Sequence, residues 1–378
     1  MIQLLICMSL KIGILKEPVY ENRISLLPEQ VISLIKKGIT VYVEKGAGIK
    51  AFTSDEAYLA AGALMAERSS VISDSDVLLS IHSFEEIKEK AVVVGVYQPL
   101  YQYALMQEWA GKQITSFSLD MIPRTTRAQS MDVLSSQANI AGYKAVLLAA
   151  HTYPRYFPMF MTAAGSITPA KVLILGAGVA GLQAIATAKR LGAVVEVFDT
   201  RPAVKEEVMS LGAKFVEVEG AADASAAGGY AVEQTEEYKQ KQRQRIAEAV
   251  AKADIVITTA QIPGKKAPQL ISEEMIQSMR EGSVIVDLAA ATGGNTPFTQ
   301  NNETVVHQGV RIIGNSNLAS DMPGDASKMY GKNVLNFLQL LLTKDGELHL
   351  NWEDDLVKGC CITHDGQLVH ERVASLLK

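Results

Sequence analysis

One stretch constrains this chain more than any other: VLILGAGVAGLQ, residues 172–183, an apolar run that breaks into three spaced glycines and closes on helix-forming residues. The order suits a strand-to-helix turn in which Gly176 permits the reversal, Gly178 lets the backbone approach a pyrophosphate, and Gly181 lets helix and strand pack closely. Val179 and Ala180 open the helix, where unpaired amides and the helix dipole favour an anion. The next apolar strand, VVEVFD, ends at Asp199, and 199 − 176 = 23, near the spacing of about 20 expected of the carboxylate that takes the ribose hydroxyls. A carboxylate there repels a 2′-phosphate, so the pattern favours NAD over NADP. Thr200 and Arg201 follow in the same turn. Arg201 is read as facing solvent, so it tempers the preference only slightly. The plainer alternative is a structural glycine turn ending in a surface aspartate.

The surroundings alternate in the same manner. KIGILKE (11–17), TVYVEK (40–45), DVLLSIH (76–82), AVVVGVY (91–97) and QITSFSL (113–119) read as short buried strands, and 28–37 reads as a helix with Pro at its start and Gly38 at its end. A second series runs through KVLILG, VVEVFD, KFVEV, DIVITTA, SVIVDLA and VRIIGN, between 171 and 315. Runs this rich in Val, Ile and Leu suit parallel sheets covered on both faces. Long helical patterns at 132–152 and 326–343 bracket the second series. The fold class expected is α/β: two Rossmann-like doubly wound parallel-sheet domains joined by two long helices. The first domain takes residues 1–137 plus 320–378, and the nucleotide-binding domain takes 138–319. The segment GAADASAAGGYAVEQ (220–234), rich in Gly, Ala and Ser, reads as a mobile loop.

Composition narrows the function classes. A chain of 378 residues, 48% hydrophobic, fills two cores, and a net charge of −5 with mixed signs offers no basic stripe for nucleic acid. The three cysteines, Cys7 with the adjacent pair Cys360 and Cys361, have neither metal-ligand spacing nor a disulfide framework, which points to no metal and a reducing compartment. No stretch has the 18 or more uncharged apolar residues of a membrane span, MIQLLIC being far shorter, and Met8 reads as the true start.

Acid–base candidates are few. His151, His307 (in a polar turn), His349, His364 and His370 read as structural or solvated, and His82, at the end of a buried strand, stands nearest a cleft. More informative is MIPRTTRAQSMDVLSSQ (121–137), between the last strand of the first domain and the linking helix. Arg124, Arg127, Gln129, Asp132, Ser135 and Gln137 are suited to hold a carboxamide and a ribose, and only Asp132 is a typical proton-transfer group. The competing account is capping: Ser130 or Asp132 starts the helix and the arginines are surface charges.

Nearly the whole chain, from Lys11 onward, resembles the soluble NAD(H)-binding component of proton-translocating nicotinamide nucleotide transhydrogenase, in the superfamily that includes alanine dehydrogenase. The likeness rests on ILKEPVYENRISLLPE, RAQSMDVLSSQANIAGYKAV, MTAAGSITPAKVLILGAGVAGLQAIATAKRLGAVVEVFDTR, AGGYA and ITTAQIPGKKAP. It implies a nicotinamide-holding loop at Arg124, Gln129, Asp132 and Ser135, and a loop closing over nucleotide with Gly229 and Tyr230. It further implies direct hydride transfer from NADH held here to NADP+ on a partner subunit, with no acid or base in the protein. The implied partners are a second copy of the chain, an NADP(H)-binding subunit and a membrane subunit that moves the proton. The implied location is cytoplasmic, peripheral at the inner face of the bacterial plasma membrane, as a separate subunit. Where alanine dehydrogenases carry a Lys, a His and an Asp for amino-acid chemistry, the corresponding positions here are His82, Tyr97 and Ala291, which argues against that activity. An amino-acid dehydrogenase or a catalytically silent NAD-binding module are the alternatives.

Overall fold

The computed structural model describes residues 9–218 and 235–377. Its chain divides into two compact units, Met1–Gln137 with Ser320–Lys378, and Ala138–Ala319. The loop expected at 220–234, with Gly229 and Tyr230, and the start expected at Met8 lie outside the described residues.

In the first unit six parallel strands, β1 (Lys11–Ile14), β2 (Thr40–Glu44), β3 (Leu64–Ala66), β4 (Val77–Leu79), β5 (Val92–Gly95) and β6 (Thr115–Ser118), lie in the order β3-β2-β1-β4-β5-β6. Every residue of β4, β5 and β6 is buried, as continuous apolar runs in a doubly covered sheet require. The helix Pro28–Ile35 begins at its proline, with the Gln30 side chain accepting from the Leu27 amide at 2.9 Å, and the chain leaves it through Gly38 at φ +79°. Strand order reverses between β1 and β4, so the loops leaving their carboxyl ends part and open a crevice at that edge.

The linking helix Val133–Thr152 carries the chain into the second unit. There a two-stranded hairpin, β7 (Phe160–Thr162) and β8 (Gly165–Ile167), precedes a seven-stranded sheet. The sheet comprises β9 (Lys171–Leu175), β10 (Val194–Phe198), β11 (Lys214–Phe215), β12 (Ile255–Thr258), β13 (Val284–Asp287), β14 (Thr304–His307) and β15 (Val310–Ile313). Its order is β11-β10-β9-β12-β13-β15-β14, parallel except for β14. Ile174, Val197, Ile257 and Val286 face one core, and Leu173, Val256, Ile285 and Ile312 face the other, so both sides of the sheet are covered. His307 is not in a polar turn: it ends β14, with its ring stacked on Phe298 at 3.9 Å between centroids.

After Ser320 the chain returns to the first unit. The helix Pro323–Leu338 buries Tyr330, Val334, Phe337 and Leu338 in the core that contains Ile12, Val41 and Leu79. Strands β16 (Cys361–His364) and β17 (Gln367–Leu368) extend that sheet antiparallel beyond β6. No helix among the described residues is long and apolar enough to cross a membrane.

Candidate functional site

The glycine turn occupies the carboxyl end of β9, where the order of the second sheet reverses towards β12. Each glycine has its own reason. Gly176 sits at φ +106°, and a Cβ there would lie 2.3 Å from Thr259 Oγ1 on the turn after β12. A Cβ on Gly181 would fall 1.9 Å from the Gly176 carbonyl oxygen, so this residue lets the helix Val179–Arg190 sit against the strand. Gly178 differs: at φ −78° it is the residue before the helix, and a Cβ there would meet no heavy atom within 4 Å. No side chain caps that helix, so the amides of its first turn, at Val179 and Ala180, are not claimed by a capping group. Open space above an uncapped helix start fits a pyrophosphate.

Asp199 is buried just beyond β10. Its carboxylate accepts the Ala177 amide at 2.7 Å, tying the glycine turn to the second strand, and it pairs with the Arg201 guanidinium at 2.7 Å. The expectation that Arg201 faces solvent is therefore corrected. With 20% of its side chain exposed, it folds back on a buried carboxylate, because an ion pair two residues apart in an extended turn compensates a charge that would otherwise be costly to bury. Thr200, between them, is half-buried.

In the first unit, the segment 121–137 is held from several sides. The Thr125 hydroxyl accepts the Ala128 amide at 3.3 Å, and the Ser130 carbonyl accepts from Asn333 (2.8 Å) and Asn336 (2.9 Å) of the returning helix. Asp132 caps the linking helix: Oδ1 accepts the Ser135 amide at 2.9 Å and Oδ2 accepts the Ser135 hydroxyl at 2.6 Å. The capping account is thus right for Asp132, whereas the oxygen of Ser130 in use is its carbonyl. Arg127 departs from the site expectation. Its guanidinium grips Asp354 at 2.7 and 2.6 Å and also contacts Asp355, anchoring the loop to the tail. Gln137 likewise accepts from Arg23 at 2.8 Å and donates to the Ala326 carbonyl at 3.2 Å. Arg124 and Gln129 are exposed on this braced segment.

A second cluster, at the carboxyl ends of β1 and β4, was not anticipated from sequence. Glu17 accepts the amides of Ile81 (2.6 Å) and His82 (3.2 Å). Glu21 takes Arg23 through both oxygens, at 2.8 and 2.7 Å, and His82 Nε2 at 2.9 Å. The available signal was the density of charge in KEPVYENR immediately after a buried strand. Although burial opposes it, the hydrogen bonds from Arg23 and His82 hold the Glu21 carboxyl well below the usual range. Tyr97 is fully buried, its hydroxyl 3.4 Å from Ser80 Oγ, and burial raises its pKa far above the ordinary value. It keeps its proton and is no base.

Burial pushes Glu17 up from 4.5 to about 7, against the pull of the Ile81 and His82 amides and of the His82 charge. Between those values the folded state holds a proton that the unfolded chain has released, so stability falls as pH rises through the window. Asp120, raised by burial to about 6, adds a slope of the same sign. Glu17→Gln removes only the Glu17 contribution. Urea unfolding at about pH 5 and about pH 8 is expected to show the variant losing less stability than the wild type across this interval; equal losses would acquit Glu17.

An open, doubly wound sheet with a glycine turn at its switch point and an acidic residue closing the next strand defines a dinucleotide-binding α/β domain. The chain belongs to the alanine dehydrogenase/PNT family, matching its N-terminal domain over residues 13–141 and its C-terminal domain over 145–371. Within that family its similarity lies with the alpha chains of NAD(P) transhydrogenase. It is 46% identical over 364 residues to an NAD(P) transhydrogenase subunit alpha chain of Rhodospirillum rubrum, covering 93% of this chain and 95% of that one. The crystal structure of transhydrogenase from Sinorhizobium meliloti matches with a TM-score of 0.87 and 44% identity, over 95% of this chain and all of that one. The alanine dehydrogenase of Staphylococcus haemolyticus is 27% identical over 97% of this chain and 95% of its own length.

Proposed function

We propose that this chain is the NAD(H)-binding component of a transhydrogenase, passing hydride directly between NADH held here and NADP+ held on a partner subunit. The observation that carries the reading is the full-length similarity to a transhydrogenase alpha chain at 46% identity, against 27% to an alanine dehydrogenase. The chemistry of the site supports it: His82 is engaged by Glu21 and Tyr97 is sealed in the core, so neither position offers the free base that amino-acid oxidation needs.

The glycine turn and Asp199 bind the adenosine half of the dinucleotide. Arg124, Gln129, Asp132 and Ser135 orient the nicotinamide and its ribose, while Arg127 acts on the loop through Asp354. When bound, the nicotinamide supplies the hydride; the protein supplies placement, which is worth roughly 7–11 kcal/mol of a barrier. Gly229 and Tyr230 close over the nucleotide. The chain acts as a homodimer, for which the exposed Phe160, Met161 and Ile167 of the hairpin offer an apolar contact. It works on the cytoplasmic side of the bacterial plasma membrane, with proton translocation belonging to a membrane partner. Mixing the chain with an NADP-binding domain from a transhydrogenase is expected to give hydride transfer from NADPH to an NAD analogue. Steady NADH formation from an amino acid by the chain alone would instead make it a dehydrogenase, and nucleotide binding without any transfer would make it a silent module.

A further inference from the structure

The carboxylate of Asp199 can accept about four hydrogen bonds, two on each oxygen. Four donors within the chain already fill it. Oδ1 accepts the Arg201 main-chain N–H at 2.8 Å and its Nε at 2.9 Å, and Oδ2 accepts the Ala177 amide at 2.7 Å and the terminal Arg201 nitrogen at 2.7 Å. The two main-chain donors are part of the turn and stay in place. The other two belong to a side chain that can rotate away. A ribose diol also brings two O–H donors, the same number that the guanidinium supplies.

We propose that Arg201 is an internal competitor for the ribose subsite, its guanidinium standing where the diol of the adenosine ribose donates and having to swing out before that ribose binds. The inference rests on the dinucleotide reading of the glycine turn. The pairing keeps Asp199 ionised and oriented, and it makes binding an exchange of one pair of donors for another. Affinity is therefore set by a difference between two similar hydrogen-bond sets, which suits a site that must release its nucleotide in every cycle. The displaced cation also remains beside the ribose edge, where it meets a 2′-phosphate. Arg201 thus narrows the discrimination against NADPH that Asp199 alone would impose.

Arg201→Met retains side-chain length and removes the donors. Calorimetric titration of the wild type, Arg201→Met and Asp199→Asn with NADH and NADPH provides the test, alongside melting curves. Arg201→Met is expected to bind NADH about tenfold more tightly, the weight of one hydrogen bond to a charged group, with a wider NADH-to-NADPH ratio. Unchanged or weaker NADH binding by Arg201→Met, with wild-type binding intact, would overturn the competitor role alone. A wild type that does not bind NADH, or an Asp199→Asn that binds it as well as the wild type, would overturn the dinucleotide reading beneath it. If Arg201→Met does not fold, Arg201→Lys carries the test: one ammonium cannot fill two acceptor positions with a planar fork, so affinity should rise by a smaller factor, and no rise would refute the proposal.

Discussion

Asp132→Asn is expected to slow hydride transfer on the order of 100-fold while weakening NADH binding only a few-fold and leaving the fold intact. Asp132 has two roles that this substitution separates. Its structural role is to cap the linking helix through Ser135, and asparagine caps about as well: its carbonyl oxygen accepts the Ser135 amide, and its NH2 donates to the Ser135 hydroxyl. Its proposed kinetic role is to hold the nicotinamide ribose or carboxamide as an acceptor, which the NH2 cannot do. Transfer needs the reacting atoms about 3–3.5 Å apart, and an error near 1 Å costs about two orders of magnitude. Asp132→Ala loses the cap as well and should cost about 1 kcal/mol of stability. Single-turnover transfer at saturating nucleotide, measured beside urea unfolding, distinguishes the two roles. A wild-type rate in Asp132→Asn leaves Asp132 as a helix cap and nothing more. Gln129→Asn, which draws an exposed carboxamide back by one methylene, is expected to behave kinetically as Asp132→Asn does.

Gly181→Ala and Gly178→Ala add the same methyl group three residues apart and are expected to fail differently. At Gly181 the new carbon meets the Gly176 carbonyl oxygen at 1.9 Å, and backbone cannot yield as a side-chain tip would. The helix must move off β9, with an overpacking cost of about 1–3 kcal/mol or more, and the amide cradle is lost with it. NADH binding should fall by at least about 100-fold together with thermal stability, because pyrophosphate recognition needs that close approach. At Gly178 the carbon enters open space at an ordinary φ of −78°, so the melting temperature should hold while NADH affinity drops. A Gly178→Ala protein that binds NADH normally would mean that the pyrophosphate does not lie over this residue.

Much of this architecture could be read from sequence because its strands are buried on both faces. Val92–Gly95 and Ile255–Thr258 carry continuous β-branched runs that need no partner to be recognised. Leu64–Ala66 was missed: it is a short edge strand whose identity comes from pairing with β2 rather than from its own pattern. The hairpin Phe160–Ile167 is exposed along its strands and leaves no alternation to find. The glycine turn was legible in detail, since each glycine answers a steric demand set within a few residues or by the next strand. The charge partnerships were not. Glu17 meets Ile81 and His82, and Arg127 meets Asp354, across more than 60 and 200 residues respectively, through loops whose meeting depends on the whole sheet. Even the local Asp199–Arg201 pair escaped, because spacing alone does not say which way an arginine turns.

The second unit interrupts the first in the chain, and this has a consequence for synthesis. The first unit's core contains Ile12, Val41 and Leu79 from before the interruption, and Tyr330, Phe337, Leu356 and Cys361 from after it. At ribosomal speeds of about 5–20 residues per second, the residues from Gln137 to the last of that core take roughly ten to fifty seconds to emerge. The unit begun first is thus completed last. During that interval the nascent chain carries an apolar surface waiting for its cover, while the nucleotide-binding unit, contiguous in the message, has every residue it needs to close.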